Sequence, residues 1–379
     1  MKYCTQCLST DLRPNSYFSN GVCIACKYSQ EDLEVNTQYK LLALINKIKK
    51  SQRSDSKKRK YDCIVGVSGG KDSTRQALWV RDRLQMWPLL VCVGYPPAQM
   101  SEIGAENISN LLEKGFDLIT LIPAPKTSSR LTLESFKKFG NVCKSTEIAL
   151  FSSVPRLAIE FDVKFIFWGE NPALQVGDSA VLGVDEFDGN NLRYLNTLNG
   201  GENDWISTFL DGSNLADHYN YPDEILYNKK KINILYLGPA WDDWSNEENS
   251  TYASLTGLTL RPGEEHFTGD ISNASMLDEE FTNINMMLKY FKFGFGRATD
   301  YANEQIRNKN WTRSEAIEVV ERFDGLCSNS IIEKYCNYTG ITAAEFWDIA
   351  NKWINQDIFY VRKNKRPLKK FQVGFDYNC

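Results

Sequence analysis

From Tyr61 onward, short apolar runs alternate with stretches whose apolar positions recur every three or four residues. The runs Cys63–Val67, Leu89–Val93, Leu118–Ile122, Phe165–Trp168 and Ile234–Leu237 are rich in β-branched and aromatic residues and show little polar alternation. A strand reads this way when both its faces are covered, as in a parallel sheet. Helical periodicity lies between them, over Asp72–Leu84, Glu102–Lys114 (stopped by Gly115) and about Thr146–Phe161. This alternation predicts an α/β fold built on a doubly wound, mainly parallel sheet with right-handed crossovers. Ligands bind such sheets beyond the carboxyl ends of the strands. Three segments fall there: Ser68–Ser73, Gly94-Tyr95-Pro96 and Gly169-Glu170-Asn171-Pro172.

Outside that pattern the chain divides further. Residues 31–50 carry an apolar stripe that predicts a helix, and a basic stretch within 47–60 reads as a solvated linker, with a nucleic-acid arm as the alternative. Residues 172–232 are rich in Gly, Asn and Asp, which suggests an insertion or lid. Residues 240–300 are aromatic and polar and end in Gly294-Phe-Gly296-Arg297. Past Tyr301 the pattern is helical. Thr312-Arg-Ser-Glu315 and Thr342-Ala-Ala-Glu345 read as capping boxes, and Arg362–Lys370 as a solvated basic tail. The expected organisation is a module over 1–30, a helix and linker over 31–60, the α/β domain over 61–300 with its insertion near 172–232, and a helical C-terminal region over 301–379.

Cysteine spacing changes the reading of the first thirty residues. Cys4-x-x-Cys7 and Cys23-x-x-Cys26 are separated by fifteen residues, the pattern of a four-cysteine zinc ribbon. So short a segment cannot bury enough surface to fold unaided, and a fully ligated tetrahedral Zn2+ is a structural staple with no position left for water. Little direct effect on chemistry is expected of it. Ten cysteines without an apolar leader suggest a reducing, cytoplasmic setting. A net charge of −4 argues against general nucleic-acid binding, and no run of apolar residues is long enough for a membrane span.

The chemistry centres on Ser68-Gly69-Gly70-Lys71-Asp72-Ser73. A glycine turn between a strand and a helix start presents free N–H groups and the positive helix end, which suits phosphate. It is not a Walker A loop: Val65 stands where that pattern needs glycine, and Asp72 where it needs Ser or Thr. It is not a dinucleotide fingerprint either. Asp72 either caps the helix or orients Mg2+. Glu170 and Asn171, at a strand's carboxyl end, are placed to contact ribose, magnesium or a substrate amide. The two histidines, His218 and His266, lie outside every motif, and Cys143 reads as a core cysteine rather than a nucleophile.

Ser-Gly-Gly-Lys-Asp-Ser resembles the PP-loop of the N-type ATP pyrophosphatases, of the adenine nucleotide alpha-hydrolase-like fold. That resemblance implies cleavage of ATP to AMP and pyrophosphate, with ATP held by Ser68, Gly69, Gly70, Lys71, Asp72, Ser73, Gly94 and Gly169, and with Lys71, Asp72, Glu170 and Asn171 as catalytic residues. The order of the four-cysteine segment, this loop, Asn141–Glu147, Val154-Pro-Arg156, Trp168–Pro172 and Gly294–Asp300 is similar to the N-acetyl sugar amidotransferase family. The similarity spans most of residues 1–325. It implies an enzyme that adenylates the acetamido oxygen of an N-acetyl sugar acid of the pseudaminic acid type and replaces it with ammonia. The acetamidino product would serve surface or flagellar glycans. Lys144, Arg156, Asn171 and Arg297 are the candidate substrate contacts. The chain shows no glutaminase signature, so ammonia is expected free or from a separate glutaminase and synthase pair. Two rivals remain: a PP-loop tRNA-modifying enzyme of thiolation or lysidine type, and a non-catalytic nucleotide-sensing adaptor.

Overall fold

A computed structural model describes residues 1–29, 36–54, 61–172, 179–181, 183, 187–195, 197–198, 204–210, 218–240, 244–261 and 263–378. At the N-terminus a two-residue hairpin, β1 (Phe18–Ser19) and β2 (Val22–Cys23), runs into the short helix α1 (Ile24–Tyr28). Helix α2 (Asn36–Ser54) follows, so the helix runs past residue 50 into the stretch read as linker; residues 55–60 lie outside the described set. Then come β3 (Cys63–Gly66), α3 (Lys71–Asp82), β4 (Pro88–Val93), α4 (Glu102–Glu113), β5 (Asp117–Leu121), α5 (Pro125–Phe139), α6 (Lys144–Glu160), β6 (Phe165–Trp168) and β7 (Asn233–Tyr236).

Strands β3 to β7 form one parallel five-stranded sheet in the order β5-β4-β3-β6-β7. The five expected strands are all there, each displaced by one residue or less. Side-chain alternation explains why their runs looked uniformly apolar. Ile64, Leu89, Val91 and Ile166 join α6 and the 190–232 connection in one core, while Cys63, Val65, Leu90, Phe165 and Phe167 join α2, α3 and α4 in another. Edge strand β5 is the exception, half open to solvent along its length. The described part of 172–232 is no detached flap: Leu192, Ile206, Tyr219, Tyr221 and Tyr227 are buried against the sheet.

A third core gathers the helices Phe281–Phe293, Arg297–Arg307, Arg313–Phe323, Asn329–Thr339 and Ala343–Asn351. Both expected capping boxes are present, with Thr312 paired to Glu315 and Thr342 to Glu345. The basic stretch after them is not a tail. It forms the hairpin β8 (Phe359–Arg362) and β9 (Lys365–Lys369), whose flanking Phe359 and Phe371 pack on Tyr290. All the basic residues lie between these two anchors, so a charge count alone reads the stretch as solvated. No helix among the described residues is long and apolar enough to cross a membrane.

Candidate functional site

The sheet order sets the place of the site. From β3 the chain moves outward through β4 and β5, then returns to the other side of β3 as β6. The connections leaving the carboxyl ends of the adjacent strands β3 and β6 therefore head to opposite sides of the sheet order, and a crevice opens between their loops. Those loops are Val67–Gly70 and Gly169–Asn171.

Local backbone requirements build the first loop. Gly69 has φ +83°, and a Cβ there would meet the Gly104 carbonyl oxygen at 3.2 Å. Gly104 is in turn pressed against Asp278, whose Cα would lie 2.6 Å from a Cβ at that position. This stacking carries the distant Asp278 to the loop, where Tyr95 donates a hydrogen bond to its Oδ2 at 2.9 Å. Burial pushes the Asp278 carboxyl up; it pushes its neighbour Glu279 up to about 8, aided by the charge of Asp278.

Helix α3 starts at Lys71 with no side-chain cap, which leaves its first N–H groups directed at the crevice. Lys71 is buried, and its Nζ sits 2.6 Å from Asp72 Oδ2. The other carboxylate oxygen of Asp72 accepts from Asn249 Nδ2 at 2.6 Å, and Asn249 Oδ1 accepts from Arg75 at 2.6 Å. Asp72 is thus an oriented side chain of the site as well as a first-turn acid. Ser73 turns back to the Gly70 carbonyl at 3.1 Å.

Two cavities meet at this loop. The larger, about 200 Å³, is lined by Lys71, Ser275, Asp278, Arg297 and Asp300, among others. The second, about 160 Å³, is apolar and lies over the sheet, against Val91, Val93, Val154 and Trp168, with Gln76 and Gly169 at its edge. Ser68, Gly70, Asp72 and Glu170 line both. The site therefore has an apolar chamber, a charged chamber, and a junction carrying two carboxylates beside a glycine turn and an uncapped helix start. Asp72 and Glu170 supply the hard oxygen donors that suit Mg2+.

Several expected residues are elsewhere. Lys144 donates to the Thr197 carbonyl at 3.1 Å and Arg156 to the Asn220 carbonyl at 2.8 Å, so both brace the connecting segment. Neither lines the junction cavities; nor do Gly94 and Asn171. Gly94 closes the ladder against β5, and Asn171 is buried. Gly169 is needed for packing, since a Cβ there would meet Trp244 at 2.6 Å. The turn at Gly296 is taken up by a side chain of the protein itself: Asp324 accepts from the Gly296 and Ala298 N–H groups at 2.7 and 3.0 Å and from Thr299 at 2.6 Å. Arg297 itself points to the larger cavity and donates to Ser275. His218 and His266 are exposed. Cys143 is buried in a separate cavity, where burial pushes its thiol up, away from the thiolate a nucleophile needs.

The four cysteines close on one another. Cys4, Cys7, Cys23 and Cys26 are buried, and their sulfurs all lie within 4.8 Å of each other. Cys7 Sγ and Cys23 Sγ are 3.6 Å apart. Sulfurs bound about 2.3 Å from one tetrahedral ion stand about 3.8 Å apart, so the set fits Zn2+. Backbone N–H groups of Gln6, Ser9 and Cys23 donate to these sulfurs, a second shell that favours thiolate. The thiols of Cys23, Cys26 and Cys7 hold the Cys4 thiol below its ordinary range. The module is not remote from the site, because Ser9, Arg13 and Ala25 line the larger cavity.

Sequence reasoning missed Arg13, Asn246, Asn249, Asp278 and Glu304. One signal was available: Ser245-Asn-Glu-Glu248 is a capping pattern, and Ser245 Oγ does accept from the Glu248 N–H at the start of the helix Asn246–Leu255. No curated protein matches the chain. Residues 267–373, which supply Ser275, Asp278, Arg297 and Asp300 to the larger cavity, match the family model of the C-terminal domain of WbpG-like lipopolysaccharide biosynthesis proteins.

Proposed function

We propose that the protein is an ATP-dependent, AMP-forming amidotransferase acting on an N-acetyl sugar destined for a surface glycan. The observation that carries the reading is the junction. A phosphate-type turn and two carboxylates stand between an apolar chamber and a charged one, and the charged one is built largely from a segment similar to a lipopolysaccharide biosynthesis domain.

On this reading the apolar chamber takes the adenosine part of ATP. Gly69, Gly70 and the open N-terminus of α3 hold the β- and γ-phosphates, with Lys71 offsetting their charge. Mg2+ held by Asp72 and Glu170 would offset charge on the phosphates in the displacement. The acetamido oxygen of the sugar, presented from the charged chamber, attacks the α-phosphorus and pyrophosphate leaves. Ammonia then adds to the activated carbon, AMP departs with its oxygen, and loss of a proton leaves the acetamidine. An amide oxygen is a poor leaving group, and adenylation is what makes its replacement feasible. The Lys71–Asp72–Asn249–Arg75 chain keeps Asp72 pointed at the junction throughout.

The test is incubation of the purified chain with ATP, magnesium, ammonium and N-acetyl sugar acids of the pseudaminic acid type. AMP should form only with an accepted sugar and ammonium together, and the sugar should become one mass unit lighter as NH replaces oxygen. AMP formation that requires tRNA, or none under any combination, would overturn the proposal.

A further inference from the structure

The cysteine module is stitched to the helix Arg297–Arg307. The Leu8 N–H donates to Asn303 Oδ1 at 2.7 Å, and Asn303 Nδ2 donates to Ser9 Oγ at 3.2 Å. Between the two cysteine pairs, Arg13 reaches into the larger cavity and pairs with Asp300, its guanidinium 4.1 Å over the Phe295 ring. The Arg13 side chain is 10% exposed. Lys289 takes the other oxygen of Asp300.

On that wall two cations share one carboxylate. Arg13 and Lys289 share the two oxygens of Asp300, and Arg297, on the same cavity, donates to Ser275. Burial would raise the Asp300 carboxyl, but Arg13 and Lys289 outweigh it and hold it well below the usual range. Burial pushes the Lys289 ammonium down; Asp300 opposes this, while Arg13 adds to it. The Nε atoms of Arg13 and Arg297 are both buried, and neither has a hydrogen-bond partner among the described residues. Each of these two guanidinium groups on the cavity thus keeps one donor unmet, and an anion in the cavity would offer an acceptor.

We infer that this end of the cavity binds the carboxylate or phosphate group of the second substrate, with Arg13 and Arg297 as donors, and that metal ligation by the cysteine module sets the position of Arg13. Assigning the anion to the acceptor sugar rests on the proposed function; the existence of the site does not. The metal would then be structural in its coordination and still govern substrate binding, because the loop bearing Arg13 is held at both ends by its ligands.

The experiment is calorimetric titration of the zinc-loaded full chain. Glucuronate offers a carboxylate alone, and glucose 1-phosphate a phosphate alone. An ATP analogue with a methylene between its α- and β-phosphorus atoms is titrated separately. The wild type should bind at least one of the two sugars. Arg13→Gln should weaken that binding by about 10-fold or more, with zinc content and analogue binding unchanged. Arg13→Lys keeps a cation for Asp300 but lacks the Nε–H, and should weaken it similarly. Chelation that strips the metal should produce the same loss in the wild type, and little further loss in Arg13→Gln. Binding of neither sugar by the wild type, or wild-type affinity in both variants, would overturn the inference. Unaltered sugar binding after stripping would overturn the role of the metal. Arg13-dependent sugar binding without any analogue binding would leave this site standing and sink the proposed function instead.

Discussion

Replacing Asn249 by Ala removes one side chain that joins two charged groups. Asn249 is buried on the helix Asn246–Leu255 and donates to Asp72 at 2.6 Å while accepting from Arg75 at 2.6 Å. A hydrogen bond to a charged group contributes about 1.5–3 kcal/mol. The two losses do not simply add. Asp72 keeps Lys71, and Arg75 keeps the faces of Trp244 and Tyr252, 5.9 and 5.5 Å from its guanidinium carbon. A net loss of about 2–4 kcal/mol is expected, read from the shift of the urea midpoint at constant slope. AMP formation should fall with it, because Asp72 is then held from one side only. Asn249→Asp separates the two bonds. It retains an acceptor for Arg75 but sets a second carboxylate against Asp72, and two carboxylates at that distance cannot both stay ionised. It should therefore be more stable than Asn249→Ala and no more active. Stability within about 0.5 kcal/mol of wild type in Asn249→Ala, a surface-like response, together with full AMP formation, would refute the reasoning.

Further expectations concern packing, pH and the metal. Gly104→Ala places a Cβ 2.6 Å from the Cα of Asp278, a backbone atom that cannot step aside cheaply; overpacking of this kind costs about 1–3 kcal/mol, and an unchanged melting temperature would contradict it. Asp324 is buried, which raises its carboxyl to about 6. Between the ordinary value of about 4 and that pKa, the folded chain holds a proton that the unfolded chain has released. Stability should therefore fall as pH rises from about 4 to about 6, by up to roughly 3 kcal/mol from this group. Asp324→Asn should flatten that segment of the urea-midpoint profile, and an identical slope in the variant would exclude Asp324 as its source. Cys23→Ser should lower bound zinc and the melting temperature together, and full metal content by elemental analysis would rule out the four-sulfur site.

The sheet was legible because its strands are buried on both faces. Continuous apolar runs such as Phe165–Trp168 arise when neighbouring side chains enter different cores, and here Ile166 and Phe167 do so. Glu170 follows such a run and lines both junction cavities. Lys144 and Arg156 line neither. A basic residue near a motif is read as a ligand contact, yet both long side chains fold back onto carbonyls of the 190–220 connection. Helix Phe281–Phe293 was hidden for another reason. Its apolar spacing is regular, but aromatic and polar residues with weak helix preference fill it, and packing on Phe136 and Tyr335 supplies what propensity lacks.

Local chemistry, then, was determined by the sequence itself. A Gly-Gly turn ahead of a helix start leaves free N–H groups wherever it folds, and cysteines in two x-x-spaced pairs converge once each pair makes its turn. Tertiary structure alone decided what these local sites face. Asp72 meets Asn249 across 177 positions of chain, and Arg13 meets Asp300 across 287. No short-range pattern encodes such meetings. They follow from sheet order, from the close approach that Gly104 permits to Asp278, and from the docking of the cysteine module on the helix Arg297–Arg307.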